Sequence, residues 1–408
     1  MLSPPRSCAT GCYNDSRAPS EPDRCVAQEC GSHRYSGSLP VPASSKITPI
    51  VPQSYGHPHL IFFCDLDGRA MLELFGRPSL IDDLVTNGYG VALAIRDHTP
   101  ALVAAVRMLN EHGVQVVAWL QIPEREGGWF HLQNYPQAVE CYRNFRAWSC
   151  EHGLIFHAIG IDIEPPSSEL DRIQRWGIRD LARRVWLVHE NVLFAAARAA
   201  YADLVGEIHH DGYEVHAYQL PILADDRRAG STVIQRAFDI VGLPADVEVL
   251  MCYSSLPINT LGDDIGGALI SSYGPTADSI GVGAVGGAAD SALDDLPPLS
   301  GDSLERDLLL AARHTDLIYV FSLEGCVERG LLPHIIQMNW SLEPHTIRWK
   351  RLVVGAIRAL ILFALLISRF SGRILAWLGW GLFMMMLVRT ALRRGEEMRR
   401  REGGEVRR

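Results

Sequence analysis

Phe156-His157-Ala158-Ile159-Gly160-Ile161-Asp162-Ile163-Glu164-Pro165-Pro166 is an apolar run that ends on two carboxylates and is broken at once by two prolines. Side chains two apart on a strand share a face, so Asp162 and Glu164 emerge together where a buried strand stops. Proline has no amide donor and drives the chain out of the ladder. Ser167, Ser168 and Glu169 also suit a helix N-terminus, but capping that helix does not call for an acid as deep in the strand as Asp162.

Outward from this strand, seven further apolar runs of strand length alternate with helical patterns. The eight predicted strands are Leu60 to Asp65, Gly90 to Ile95, Gln115 to Ile122, His157 to Glu164, Tyr213 to Leu220, Glu248 to Tyr253, Ile280 to Val285 and Leu317 to Leu323. Helices are expected over 79–87, 100–112, 135–151, 167–210, 232–241, 261–272, 302–314 and 326–337, with apolar residues at helical spacing such as Leu102, Val106 and Leu109. Strands that are apolar throughout and linked by helices make a parallel sheet covered on both faces. Eight units in about 280 residues fit a closed (β/α)8 TIM barrel. Asp65-Leu66-Asp67-Gly68 follows the first strand where a dinucleotide-binding fold would carry GxGxxG.

The expected organisation is a flexible leader over 1–56, an α/β barrel over 57–343, two membrane-inserting helices over 344–392 and an arginine-rich tail over 393–408. The leader is rich in Pro, Ser and Cys without periodicity, as in disordered segments or a start placed upstream of the true one. Cys8, Cys12, Cys25 and Cys30 have no second pair at zinc-finger spacing, and no metal or other cofactor is expected. Cys64, Cys252 and Cys326, on or beside buried strands, suit reduced thiols. His209-His210 and His216 are expected as packed residues rather than ligands. Net charge is -9 and the basic residues gather at the C-terminus, so the barrel is not a nucleic-acid surface.

Leu352 to Ser368 and Ile374 to Val388 are strongly apolar, separated by Arg369-Phe370-Ser371-Gly372-Arg373. Each is slightly short for a span of about 20 residues. Together they predict a helical hairpin in a membrane, with Arg358 snorkelling to the interface and Trp377 and Trp380 suited to interfacial positions. Arg348, Lys350, Arg351 and the tail arginines flank the hairpin on its outside. The positive-inside rule then favours a cytoplasmic barrel, as does the lack of an apolar signal-peptide core in the first thirty residues.

The functional groups of such a barrel sit at the strand carboxyl ends. Reading those ends gives Asp65, Asp67, Arg96, Trp119, Gln121, Tyr218, Gln219, Tyr253 and Glu324 beside Asp162 and Glu164. Carboxylates, amides, a guanidinium and aromatic faces are what a sugar site needs. Glu164 is the candidate general acid, with Asp162 expected to raise its pKa by like-charge repulsion.

Gly160-Ile161-Asp162-Ile163-Glu164 resembles the fourth-strand motif of the family-eighteen glycoside hydrolases, the chitinases and endo-N-acetylglucosaminidases. Met251-Cys252-Tyr253 is similar to their sixth-strand Met-x-Tyr. The resemblance implies that Glu164 protonates the glycosidic oxygen, that Asp162 orients a substrate N-acetyl group acting as nucleophile, and that Tyr253 supports that group. It also implies an oligo- or polysaccharide partner. Gly160 and Ser254 stand where the family carries acids, the second strand has no Ser-x-Gly-Gly, and the eighth ends in Phe321-Ser322-Leu323-Glu324 without a tryptophan. Glu164-Pro165 also looks like the Glu-Pro of the large retaining glycosidase clan, with Ile163 in place of that clan's Asn. Its strand-seven nucleophile is missing, which leaves Glu324 or Asp65 as a second carboxylate. Two other readings stand beside hydrolysis. One is a catalytically silent carbohydrate-binding barrel at the membrane. The other is a lyase or phospho-sugar enzyme, for which Gly286-Gly287 would have to bind phosphate.

Overall fold

A computed structural model describes residues 57–123, 128–166, 192–255, 265, 267–285 and 298–405. Eight parallel strands close into a barrel in sequence order, β1(His59–Cys64), β2(Gly90–Ile95), β3(Val116–Leu120), β4(Ala158–Ile163), β5(Glu214–Gln219), β6(Val247–Met251), β7(Ser279–Gly283) and β8(Leu317–Phe321). Registers such as Asp162↔Tyr218 in β4–β5 and Phe63↔Phe321 in β1–β8 align the strand ends around one rim. Each strand lies within two residues of its expected bounds. The expected leader, with its four cysteines, lies outside the described residues.

The described helices are α1(Gly68–Phe75), α2(Leu80–Thr86), α3(Pro100–Glu111), α4(Tyr135–His152), α5(Leu193–His210), α6(Ile222–Arg228), α7(Val233–Ala237), α8(Ala268–Tyr273), α9(Gly301–Ala311), α10(Leu323–Glu328), α11(Leu332–Ile336) and α12(Arg348–Glu405). Residues 167–191 of the long expected helix lie outside the described part. The helix expected over 326–337 is two short ones, because Pro333 restarts the backbone after Gly330 at φ 65°.

Alternate strand residues fill the barrel interior. Phe63 packs edge-on against Trp119 and Tyr218, with ring centroids 4.9 and 4.8 Å apart, and tilts against Tyr319 and Phe321. Below them the buried His216 ring hydrogen-bonds the Tyr319 hydroxyl. Burial of aromatic rings of this size is the main stabilising term of such an interior.

The two C-terminal apolar segments lie on one continuous helix of 58 residues instead of a hairpin. Ser371-Gly372 contains no proline, and a lone glycine costs a helix only about 1 kcal/mol. Arg358 does not snorkel. It is buried against the barrel, bonded to Asp225 in α6 and Ser272 in α8. Trp377 is 77 % exposed and the apolar side chains from Leu378 to Val388 are open to the surroundings.

Candidate active site

β4 delivers Asp162 to the inner rim. The chain then leaves the sheet, but the loop after β3 follows it: Phe130 donates its N–H to Asp162 O, and Glu164 donates its N–H to Phe130 O, both at 3.1 Å. Phe130 thereby bridges Ile163 as a short parallel extension of the ladder. The backbone on either side of Ile163 is fixed, and with it the direction of both carboxylates.

Burial is the dominant influence on these acids. It pushes Glu164 up to about 7. Asp162, almost fully buried, is raised well above the carboxylate range by burial, then by the charges of Glu164 and Asp65, with the Trp119 indole opposing. The like-charge repulsion expected to lift Glu164 therefore acts on Asp162, the deeper of the two. Asp162 Oδ1 has no hydrogen-bond partner among the described residues.

Tyr253, two residues beyond the end of β6, feels Asp162, Glu164 and Asp65 together. After burial, those three charges hold its phenol well above its usual range. Asp65 ties in the opposite side of the cup. Arg96 pairs with its Oδ1, Gln121 donates to the same oxygen at 3.3 Å, and Arg96 Nε donates to Gln121 Oε1 at 2.6 Å. Asp65 N–H donates in turn to Glu324 Oε1 at 3.1 Å. Glu324 lies at the start of α10 and burial pushes it up to about 8. Its Oε2 lacks a hydrogen-bond partner among the described residues. Beyond Arg96 and Gln121 a cavity of about 320 Å³ runs toward Gln137, Glu140 and Asn144.

The structure thus brings Asp65, Arg96, Trp119, Gln121, Asp162, Glu164, Tyr218, Tyr253 and Glu324 to one rim, and it leaves two expected residues elsewhere. Asp67 accepts from Arg69 and Ala70 N–H at 2.9 Å and caps α1. Its exposed carboxylate serves the helix N-terminus. Gln219 points the other way from Tyr218 because strand neighbours alternate. Its Oε1 accepts from Arg227 of α6, outside the cup.

Gly160, where the family motif would place an acid, has a local cause. A Cβ there would collide with the Tyr218 hydroxyl and lie 2.8 Å from its ring carbons. The tyrosine occupies the volume. In β7 a Cβ on Gly281 would meet only ordinary contacts, whereas one on Gly283, at φ 145°, would collide with Phe321 O, which gives that part of the glycine-rich run a packing role. Among the described residues no group of His, Cys, Asp and Glu is placed to hold a metal. His209 bonds Asp246 on the outer surface. Cys64, Cys252 and Cys326 are buried thiols.

Phe63 and Tyr319 floor the cup, a feature that escaped the sequence reading and that inward alternation along β1 and β8 could have signalled. Gly127-Gly128-Trp129-Phe130 reads in sequence as a loop presenting aromatics over the site or packing onto the next helix, and Trp129 stacks on Trp119 with centroids 6.1 Å apart and planes within 9°.

No family model and no curated protein matches the chain. Among solved structures it is similar to a GH18 chitinase from Pseudoalteromonas aurantia, at TM-score 0.41 and 11% identity over 69% of this chain and 100% of that one. It is also similar to the PgaB (BpsB) glycoside hydrolase domain from Bordetella bronchiseptica, at 0.38 and 12% over 70% and 99%. A D-allulose 3-epimerase from Methylomonas sp. follows at 0.35 and 13% over 74% and 98%.

Proposed function

We propose that the barrel cleaves a glycosidic bond, with Glu164 as proton donor, Asp162 as the group that orients the substrate and Tyr253 beside them. The observation that carries this reading is the pairing of an acid that stays protonated to about pH 7 with a deeper, partner-free carboxyl oxygen under a tyrosine. A protonated Glu164 passes its proton to the bridging oxygen as the anomeric C–O bond breaks. Water or a substrate N-acetyl oxygen then adds to the anomeric carbon. Trp119 and Trp129 offer flat faces to sugar rings, and Arg96 and Gln121 offer donors to hydroxyl groups.

Glu164→Gln in the full chain tests this on a panel of soluble N-acetylglucosamine and hexose oligomers. Hydrolysis is expected to vanish with the fold intact, and unchanged turnover sinks the reading. The absent acid at Gly160 favours a second reading, a binding-only barrel. It is selected if wild type binds an oligomer, cleaves none of the panel and keeps its affinity in Glu164→Gln.

The same proposal places the chain at a membrane. Arg348–Phe370 meets the length and apolarity of a span, but its inner face is committed to the barrel through Val354, Arg358 and Leu365. The stretch from 374 to 392 is freer. At 1.5 Å per residue it is about 28 Å long, close to the hydrocarbon thickness of about 30 Å. Arg369 and Arg373 precede it, while Arg389, Arg393, Arg394, Arg399, Arg400, Arg401, Arg407 and Arg408 lie at or beyond its end. A single span leaves Arg348, Lys350 and Arg351 with the barrel on the side opposite the tail, where a hairpin would keep them on the tail's side. The charge rule then puts the tail on the cytoplasmic side and the barrel across the membrane from it. Protease digestion of intact cells tests this: loss of the barrel supports the placement, and a protected barrel overturns it.

A further inference from the structure

Helix α12 meets the barrel in a fixed order. Val354 packs on Ile265 and Ala268, and Ile265 donates its N–H to Ser254 O, beside Tyr253 at the catalytic rim, at 3.1 Å. One turn later Arg358 reaches Ser272, near the other end of α8, and Asp225 in the middle of α6. Three turns further Arg369 donates to Ala229 O, just past the end of α6, at 2.8 Å. In this fold each helix leads from the carboxyl end of one strand back toward the amino end of the next. His314, just before β8, feels the charge of Arg351 in the first turn of α12. Arg369 meets the end of α6, whose Arg227 pairs with Glu248 at the start of β6, so the contacts of α12 lie toward the amino-end face of the barrel.

The crossing is oblique. Eleven residues of α12, about 16 Å, separate Arg358 from Arg369, against about 6 Å of α6 between Asp225 and Ala229. Even so, α12 leaves the barrel at the end away from the carboxylates. Only beyond that exit does it expose the apolar segment Ala376–Thr390. From Val354 to Ala376 the helix runs about 33 Å.

We infer that the barrel is carried with its cleft turned away from the bilayer, so that it takes glycan reached from the water and not a sugar joined directly to a lipid. This rests on the membrane and glycosidase reading above. A bilayer around residues 374–392 would meet the α6 end of the barrel first. A sugar attached to a lipid headgroup would have to climb the barrel wall to reach Glu164.

The test uses the full chain in nanodiscs whose lipids carry a headgroup nitroxide. Asp97 at the rim, Arg228 at the end of α6 and Leu378 in the apolar segment are replaced one at a time by the fluorescent amino acid acridonylalanine. Expected is loss of most emission at position 378, partial loss at 228 and none at 97. Quenching at 97 equal to that at 228 overturns the orientation. Emission retained at all three positions means that no bilayer surrounds the helix, and the inference falls with the membrane reading. A second arm compares N-acetylglucosamine oligomers free in solution with the same oligomers on a short lipid tether. In nanodiscs the free form is expected to be cut and the tethered form spared. If neither is cut even in detergent, the glycosidase reading fails, while the quenching pattern still decides which way the rim points.

Discussion

Two arginine–aspartate pairs sit in this molecule, and they are built for opposite ends. Asp225 is fully buried and its two oxygens are taken up by Arg358 and the Tyr273 hydroxyl, with the guanidinium stacked 3.6 Å over the Tyr273 ring. The Arg358 side chain is 10 % exposed. That pair is saturated, and it bolts α12 to the barrel. At the rim, Asp65 is as deeply buried, but the Arg96 side chain keeps 36 % of its surface and its neighbours Asp162 and Glu324 hold oxygens without partners. A buried charge pair stabilises only when its remaining hydrogen-bonding capacity is met. The bolt meets that condition. The rim keeps polar capacity open at the centre of a cup, as a binding site does.

The comparison can be broken in several places. The largest expected effect is at the open site: Glu164→Gln should lower turnover by about 10²–10⁴-fold, the usual yield of a positioned acid. Wild-type activity should fall above about pH 7 as Glu164 ionises. Next, Arg358→Met strands a buried carboxylate and should cost about 3–5 kcal/mol in denaturant unfolding. Arg96→Met should cost less stability and more activity, and reversed outcomes would undo the distinction drawn here. Third, Glu324 has a raised folded pKa, so the folded chain binds its proton more tightly than the unfolded one. Its contribution is complete below about 4.5 and is lost as pH rises through about 8. Glu324→Gln should therefore leave the melting temperature unchanged near pH 4 and raise it at pH 9. Fourth, Gly160→Ala forces the Tyr218 ring aside and should destabilise by about 1–3 kcal/mol. Least, Asp67→Ala removes a helix cap worth about 1 kcal/mol and should leave glycan turnover untouched.

The barrel was legible because it is written in period and burial. Eight apolar runs separated by helical patterns leave few topologies, and β2 matched its expectation residue for residue. Asp162 and Glu164 were visible for the same reason, as polar residues that interrupt an apolar strand on one face. Asp67 and Gln219 were misplaced because a strand end alternates faces and a loop carboxylate has a local use in a cap. Neither effect is decided by proximity in sequence. The fate of α12 was hidden for a different reason. Hydropathy alone cannot tell a lipid-facing helix from one held by a distant charge, and Asp225 lies 133 residues from Arg358. Nothing in Leu352 to Ser368 announces that partner.

The crowding of Gly160 by Tyr218 also fixes an order of events in descent. A chain carrying an acid at 160 and a chain carrying this tyrosine at 218 cannot be joined by the acid arriving first, since the two side chains claim one volume. The ring has to shrink before the acid is admitted, or the acid has to go before the ring grows. Relatives that carry a larger residue at 160 should therefore carry a smaller one at 218.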